Sequence, residues 1–326
     1  MIGVISYLVF FFTIALILSI TVLGLNLQWG YTGLFNGGVV AFFAAGAYGL
    51  ILLGGPDRAG EFGGFGLPYP VALAGGIVLA GLLAWLVALA STRLRHDYLA
   101  IATFGVAIAV ESFARNAEYL TGGAKGLRGF QRPLEALVGS NFGYSLLFLS
   151  IVLVALVSVY WTLETVVRSP FGRLLRAMRE DEVAARSLGK SPARVRLQSF
   201  VLGAMIMGLS GGLYATFYAF ISPQDIAPIL TFQIWAMLIV GGSGNNKGAI
   251  LGTLIVWGGW VGSGWLLTEI VPRHLQIYAG SIQYILIGLI IVLTLLARPK
   301  GLLPEELAIS KLADASRETL DREPAD

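Results

Sequence analysis

The sequence predicts an all-α integral membrane protein with about nine transmembrane helices, and three observations carry that prediction. Of its 326 residues, 56% are hydrophobic and 13% charged, with a mean hydropathy of +0.77, whereas about a quarter of an ordinary soluble domain is charged. The charges are also clustered: Leu8 to Gly54 and Leu197 to Ile221 contain no Asp, Glu, Lys or Arg. Nine apolar segments approach the roughly 20 residues that a helix needs to cross a bilayer core of about 30 Å. Most soluble enzymes are excluded by these observations.

The spans fall at 4–28, 32–54, 69–92, 98–117, 143–163, 197–221, 229–244, 248–268 and 276–297. No basic residue precedes the first and no small-residue cleavage site follows it, so it is expected to stay in the protein rather than leave as a signal peptide. The second is opened by Gly30-Tyr31-Thr32-Gly33-Leu34-Phe35-Asn36-Gly37-Gly38 and is expected to be a broken, Gly-rich span. Small residues in spans let helices approach closely. Gly-interrupted segments in two halves of a chain also point to a transport path, because freed backbone at membrane depth must face water or protein. On that reading Asn36, with Gly37 and Gly38, lines a solute route; the alternative for Asn36 is an interhelical hydrogen bond. The second cluster, Gly241-Gly242-Ser243-Gly244-Asn245-Asn246-Lys247-Gly248, reads as a cytoplasmic turn between the seventh and eighth spans.

Only Glu111 and Arg115 are ionisable within the spans, and their separation of four places them on one helix face. That spacing favours a structural ion pair over a proton relay. With no Cys and two His, disulfides and thiolate chemistry are excluded and little is left for a metal cluster. No catalytic residue, no metal ligand and no directly bound cofactor are expected.

Basic residues of short loops accumulate on the cytoplasmic side. One alternating set of loops holds five Lys and Arg and the other sixteen, which places the amino terminus outside and the carboxyl terminus inside. Residues 1–303 then form a transmembrane domain with an inside loop at 164–196, and 304–326 form a polar cytoplasmic tail. Punctuation divides the loop into short helices. Ser169 caps one helix with Pro170 in its first position, Asp181 caps a second that Gly189 closes, and Ser191-Pro192 begins the next. In the second helix Val183, Ala184, Ser187 and Leu188 make a small apolar stripe. The basic balance of the loop suits anionic lipid, while the ordered caps and Ala184-Ala185 turn the reading toward a protein groove.

Ala184-Ala185 followed by Gly189 resembles the EAA-type loop of bacterial ABC importer permeases, whose short helix fits into an ATPase subunit. Val183 replaces the leading Glu of that motif, with Glu182 beside it, and the downstream Leu-Pro is missing. The run Asp181 to Gly189 is similar to the LivM group of branched-chain amino acid importer permeases. Gly30-Tyr31-Thr32-Gly33-Leu34, Tyr98-Leu99-Ala100-Ile101-Ala102-Thr103, Thr121-Gly122-Gly123, Gly211-Gly212-Leu213-Tyr214-Ala215 and Arg298-Pro299-Lys300-Gly301-Leu302 resemble the same family in order, over residues 20 to 303. Phe35-Asn36-Gly37-Gly38-Val39 departs from the family's Ser-Leu-Gly pattern, which bears on solute preference.

The resemblance implies a permease subunit of an ATP-driven ABC importer, multi-pass in the bacterial inner membrane, translocating branched-chain amino acids or related small polar solutes. It implies a LivH-like companion permease, ABC ATPase subunits and a periplasmic solute-binding protein as partners, and no nucleic acid. Asp181, Glu182, Ala184, Ala185 and Gly189 are the implied ATPase-coupling residues, and Asn36, Gly37, Gly38 and Thr103 the substrate path. The chain has no Gly-x-x-x-x-Gly-Lys-Ser/Thr phosphate loop, since Ala184 stands where Gly189-Lys190-Ser191 would need the first glycine. ATP is therefore expected to act through the partner ATPase. A passive small-solute channel is the alternative, and it lacks the rings of charge or carbonyls that such a pore needs.

Overall fold

The computed structural model describes residues 2–57, 62–91, 96–128, 132–135, 138, 140–270, 272, 276 and 278–305. The expected polar tail lies outside the described residues beyond Glu305. Among the described residues the regular secondary structure is helical apart from one two-residue strand pair. The helices are α1 Ile2–Asn26, α2 Val39–Gly54, α3 Tyr69–Ser91, α4 His96–Asn116, α5 Glu118–Thr121, α6 Asn141–Arg168, α7 Pro170–Glu180, α8 Glu182–Ser187, α9 Pro192–Tyr218, α10 Ile229–Gly241, α11 Asn246–Ile270 and α12 Ala279–Ala297. Strands β1 Leu127–Arg128 and β2 Phe220–Ile221 pair antiparallel, which ties the loop after α5 to the end of α9.

Among the described residues, seven helices are long and apolar enough to cross a membrane. The other two apolar helices, α2 and α10, have 16 and 13 residues, or about 24 and 20 Å at 1.5 Å per residue. Both are shorter than a bilayer core of about 30 Å.

The first span and the Gly-rich segment divide differently from the expectation. Gly30 and Tyr31 end the first helix instead of opening the second, because α1 runs on into a π-helical turn at Leu27–Tyr31. Two groups secure the wider turn: the Thr32 hydroxyl donates to the Leu27 carbonyl at 2.9 Å, and the Leu34 N–H donates to the Gln28 carbonyl at 2.8 Å. Gly33 then takes φ +73°, and residues 33–36 have no regular structure before α2 begins at Val39.

Helix α1 lies at the centre, with Ile14, Ile17, Ile20 and Leu23 buried against α9 and α6. Backbones meet where side chains vanish. A Cβ on Gly24 of α1 would lie 2.6 Å from the carbonyl oxygen of Gly203 in α9, and one on Gly76 of α3 would lie 2.6 Å from that of Gly46 in α2. Such contacts drive helix association in lipid, where no hydrophobic gain distinguishes helix from solvent. Hydroxyls add to them: Thr21 donates to Ser210 at 2.6 Å, and Ser210 to the Ile17 carbonyl at 2.6 Å. The outer faces are apolar, as Leu86, Trp161, Ile285 and Leu296 show, and an apolar exterior suits lipid rather than water.

The ion pair expected within a span is present. Arg115 donates to Glu111 one turn earlier on α4.

Candidate functional site

Two features at one end of the bundle hold the residues that the sequence singled out. The first is the segment between α6 and α9. Ser169 accepts the N–H groups of Phe171 and Gly172 at 3.2 and 3.4 Å, with Pro170 in the first helical position of α7. Leu175 and Met178, three residues apart, turn inward and are buried, so α7 lies on the protein by one apolar edge.

Asp181 ends α7 and starts α8, its Oδ1 accepting from the Val183 and Ala184 N–H groups at 2.9 and 3.0 Å. Gly189 closes α8 with φ +75°, and its N–H donates to the Arg186 carbonyl at 3.0 Å. Glu182 bridges Arg186, at 3.1 Å, and Arg196 on α9. Ala185 is buried, while Val183 and Leu188 are 74% and 80% exposed and Ala184 and Ser187 are exposed beside them. Thus α8 is fastened by one side and presents a small apolar face outward.

Arg179 was not singled out by the sequence, yet it joins this segment to the core. Its guanidinium donates to the carbonyl of Gly30 in the π-helical turn and, at 2.7 Å, to Glu305 beyond α12. Gly33 lies against the same side chain, since a Cβ there would stand 3.0 Å from Arg179 Cγ. Asn26 completes the junction by donating to Asn246 at 3.0 Å and accepting from the Gly244 N–H at 2.8 Å. The second Gly cluster therefore sits at the same end as α7 and α8, with Gly242 and Gly244 at φ +109° and +82°.

The second feature is the linker from the π-helical turn to α2. The structure brings Asn36, Gly37, Gly38 and Thr103 together. Asn36 is fully buried; it donates to Gln28 Oε1 at 2.8 Å, accepts the Gly38 N–H at 2.7 Å, and its carbonyl accepts the Trp235 indole N–H at 2.9 Å. The Gly37 N–H donates to Thr103 Oγ1 at 2.9 Å. A Cβ on Gly37 would lie 2.8 Å from the Ala100 carbonyl oxygen, so glycine lets the linker press on α4. Gln28 donates in turn to the Phe200 carbonyl at 2.7 Å, linking the site to α9. Gln28 and Trp235 were missed by sequence reasoning, although a lone Gln eight residues before Asn36 in an apolar run is a visible signal.

Beside the linker opens an apolar groove of about 690 Å³, walled by Trp29, Phe35, Phe104, Phe232 and Trp235 and floored by Gly37. Phe35 stacks on Trp235 with ring centroids 4.2 Å apart. Among the described residues no three His, Cys, Asp or Glu side chains gather to hold a metal. The arrangement offers surfaces and hydrogen bonds, and two mechanically linked parts: Arg179 touches the turn from which the linker departs.

Residues 7–295 match a protein family described as the permease component of branched-chain amino acid transport systems. The chain is 30% identical over 315 residues to the LivM permease protein of the high-affinity branched-chain amino acid transport system of Escherichia coli strain K12, covering 90% of this chain and 69% of that protein. It is 30% identical over 351 residues to the probable branched-chain amino acid transport permease LivM of Methanocaldococcus jannaschii, covering 95% of this chain and 96% of the relative. A match of 27% over 148 residues, 44% of this chain and 42% of the relative, joins it to the LsrC permease of the autoinducer 2 import system of an Enterobacter species, strain 638. No solved structure matches the chain. With nearly its whole length matched and seven long apolar helices in its fold, the chain belongs to the family of permease components of branched-chain amino acid transport systems.

Proposed function

We propose that the chain is one of two permeases in an ATP-driven importer of the bacterial inner membrane, and that α7 and α8 couple it to a separate ATPase. The observation that carries this reading is the outward apolar face of α8, with Val183 and Leu188 74% and 80% exposed on a helix capped by Asp181 and backed by Ala185. A small ordered apolar face of this kind suits a groove on a partner. ATP binds the partner, and Asp181, Glu182, Ala184, Ala185 and Gly189 shape the contact.

In this reading the chain crosses the membrane nine times, with α2 and α10 as short crossings, the amino terminus outside and the coupling end inside. The basic residues Arg168, Arg173, Arg176, Arg179 and Lys247 at that end support the orientation. A LivH-like permease supplies the other half of the path, and a periplasmic binding protein delivers solute. Asn36, Gly37, Gly38 and Thr103 shape the route beside the aromatic groove. Branched-chain amino acids are the favoured solutes, because the LivM permeases of Escherichia coli and Methanocaldococcus jannaschii match at least nine tenths of this chain while the LsrC permease of the Enterobacter species matches 44%. Rigid-body movement of α7 and α8 on ATP binding, passed through Arg179 to the end of α1, would switch access to that route.

Deleting residues 181–189 tests the reading. Membrane insertion should persist, while solute-stimulated ATPase activity of the reconstituted complex is lost. Retained stimulation would remove the coupling role.

A further inference from the structure

Two adjoining cavities lie along α6 and α11, the polar one bordered also by Arg176 of α7 and Tyr31 of the π-helical turn. One is an apolar groove of about 440 Å³ along Leu156, Val157, Trp161, Ile250, Leu251 and Leu254. The other is a polar pocket of about 370 Å³ at the coupling end, reached by Glu164, Arg168, Arg176, Asn245 and Asn246. Tyr160 and Lys247 line both, so the apolar groove adjoins the polar pocket.

The charges of the pocket do not balance. Glu164 pairs with Arg168 at 2.7 Å and accepts from Asn246 at 3.2 Å, so its carboxylate is engaged. Arg176 donates to the Val167 carbonyl at 3.2 Å and, like Lys247, forms no ion pair among the described residues. Three cations against one carboxylate leave a formal charge of +2. The N–H groups of Lys247 and Gly248 are already held by Asn245 Oδ1 at 3.0 and 3.2 Å, which leaves the Arg176 and Lys247 side chains to meet a ligand.

We propose that this site binds an anionic phospholipid, its phosphate against Arg176 and Lys247 and one acyl chain in the α6–α11 groove. Basic pockets between membrane helices on one side of the bilayer suit such headgroups. A soluble anion would use the polar pocket alone; the adjoining apolar groove, with Trp161 72% exposed at its wall, calls for a ligand with a tail. Lys247 borders both cavities, and a lysine joins an apolar stem to a charged head, as a ligand with a tail and an anionic headgroup requires. The inference rests on the chain lying in a bilayer and not on which solute it carries.

Native mass spectrometry of the assembled complex in mild detergent, supplied with equal phosphatidylglycerol and phosphatidylcholine, tests the site. The complex should retain phosphatidylglycerol over phosphatidylcholine by about tenfold, and the Arg176→Gln, Lys247→Gln double variant should bring the two close to equality. Competition on the unaltered complex serves where variants fail to fold: long-chain phosphatidylglycerol should displace bound lipid at concentrations where inorganic phosphate does not. Equal retention of the two lipids, or equal displacement by inorganic phosphate, would overturn the proposal. So would retention by the isolated chain that vanishes in the complex, since a companion subunit would then cover the groove. Uptake plays no part in the readout, so its failure and that of the transport reading are separable.

Discussion

Replacing Arg179 with Leu keeps an apolar stem on α7 and removes both of its polar ties. The bond to the Gly30 carbonyl is charge-assisted, a class worth about 1.5–3 kcal/mol. The pair with Glu305 is shielded, its side chains 25% and 18% exposed; it falls between an exposed pair, worth up to about 1 kcal/mol, and a fully buried one, which costs about 3–5 kcal/mol to break. A combined loss of about 3 kcal/mol shifts the docking of α7 on the end of α1 by about a hundredfold. Leu175 and Met178 still anchor α7 to the bundle, so the variant should insert and assemble. The assay is ATPase activity of the reconstituted complex with and without solute-loaded binding protein. Basal hydrolysis should remain and stimulation should fall by at least about tenfold. Glu305→Gln keeps an acceptor and loses only the charge, so its effect should be smaller. An Arg179→Leu complex with full stimulation would refute the strut.

Other perturbations separate packing from path. Gly46→Ala sets a Cβ onto the Gly208 backbone carbonyl, which neither helix can relieve by rotating a side chain; a loss of about 1–3 kcal/mol should lower both the thermal midpoint in detergent and the membrane yield. Gly105→Ala and Gly262→Ala, where an added Cβ meets nothing within 4 Å, should leave both unchanged. Asn36→Leu strands the Gln28 side-chain Oε1 and the Gly38 N–H in a fully buried place and should cost about 2–4 kcal/mol, read as a lowered unfolding midpoint. An Asn36→Cys thiol should react with a small soluble reagent during ATP turnover and resist it at rest; labelling indifferent to ATP would remove Asn36 from the route.

Local features were legible in the sequence because local chemistry decides them. Ser169, Asp181 and Gly189 occupy the cap positions expected of them, each through bonds spanning two to five residues. The Glu111–Arg115 pair is legible for the same reason. The break before α2 was legible as a Gly-rich run but not in its register, because the π-helical turn depends on Thr32 and Leu34 reaching back to Leu27 and Gln28. Long-range partners were hidden. Arg179 lies 149 residues from Gly30 and 126 from Glu305, and its basic neighbours in the loop make it one of eight similar cations until the fold selects it. Gly46, Gly76 and Gly208 looked like any of 42 glycines; only the crossing of α2, α3 and α9 sets them backbone to backbone.

The central claim is that α8 docks into an ATPase, and thiol labelling of Leu188→Cys measures it most directly. The chain has no native cysteine, so one introduced thiol reports alone, and Leu188 is 80% exposed on the outward face of α8. In inside-out vesicles holding the chain alone, a membrane-impermeant maleimide should label it fast, and assembly with the ATPase should slow labelling by about tenfold or more, as expected of a residue taken into an interface core. Equal labelling with and without the ATPase would contradict the account.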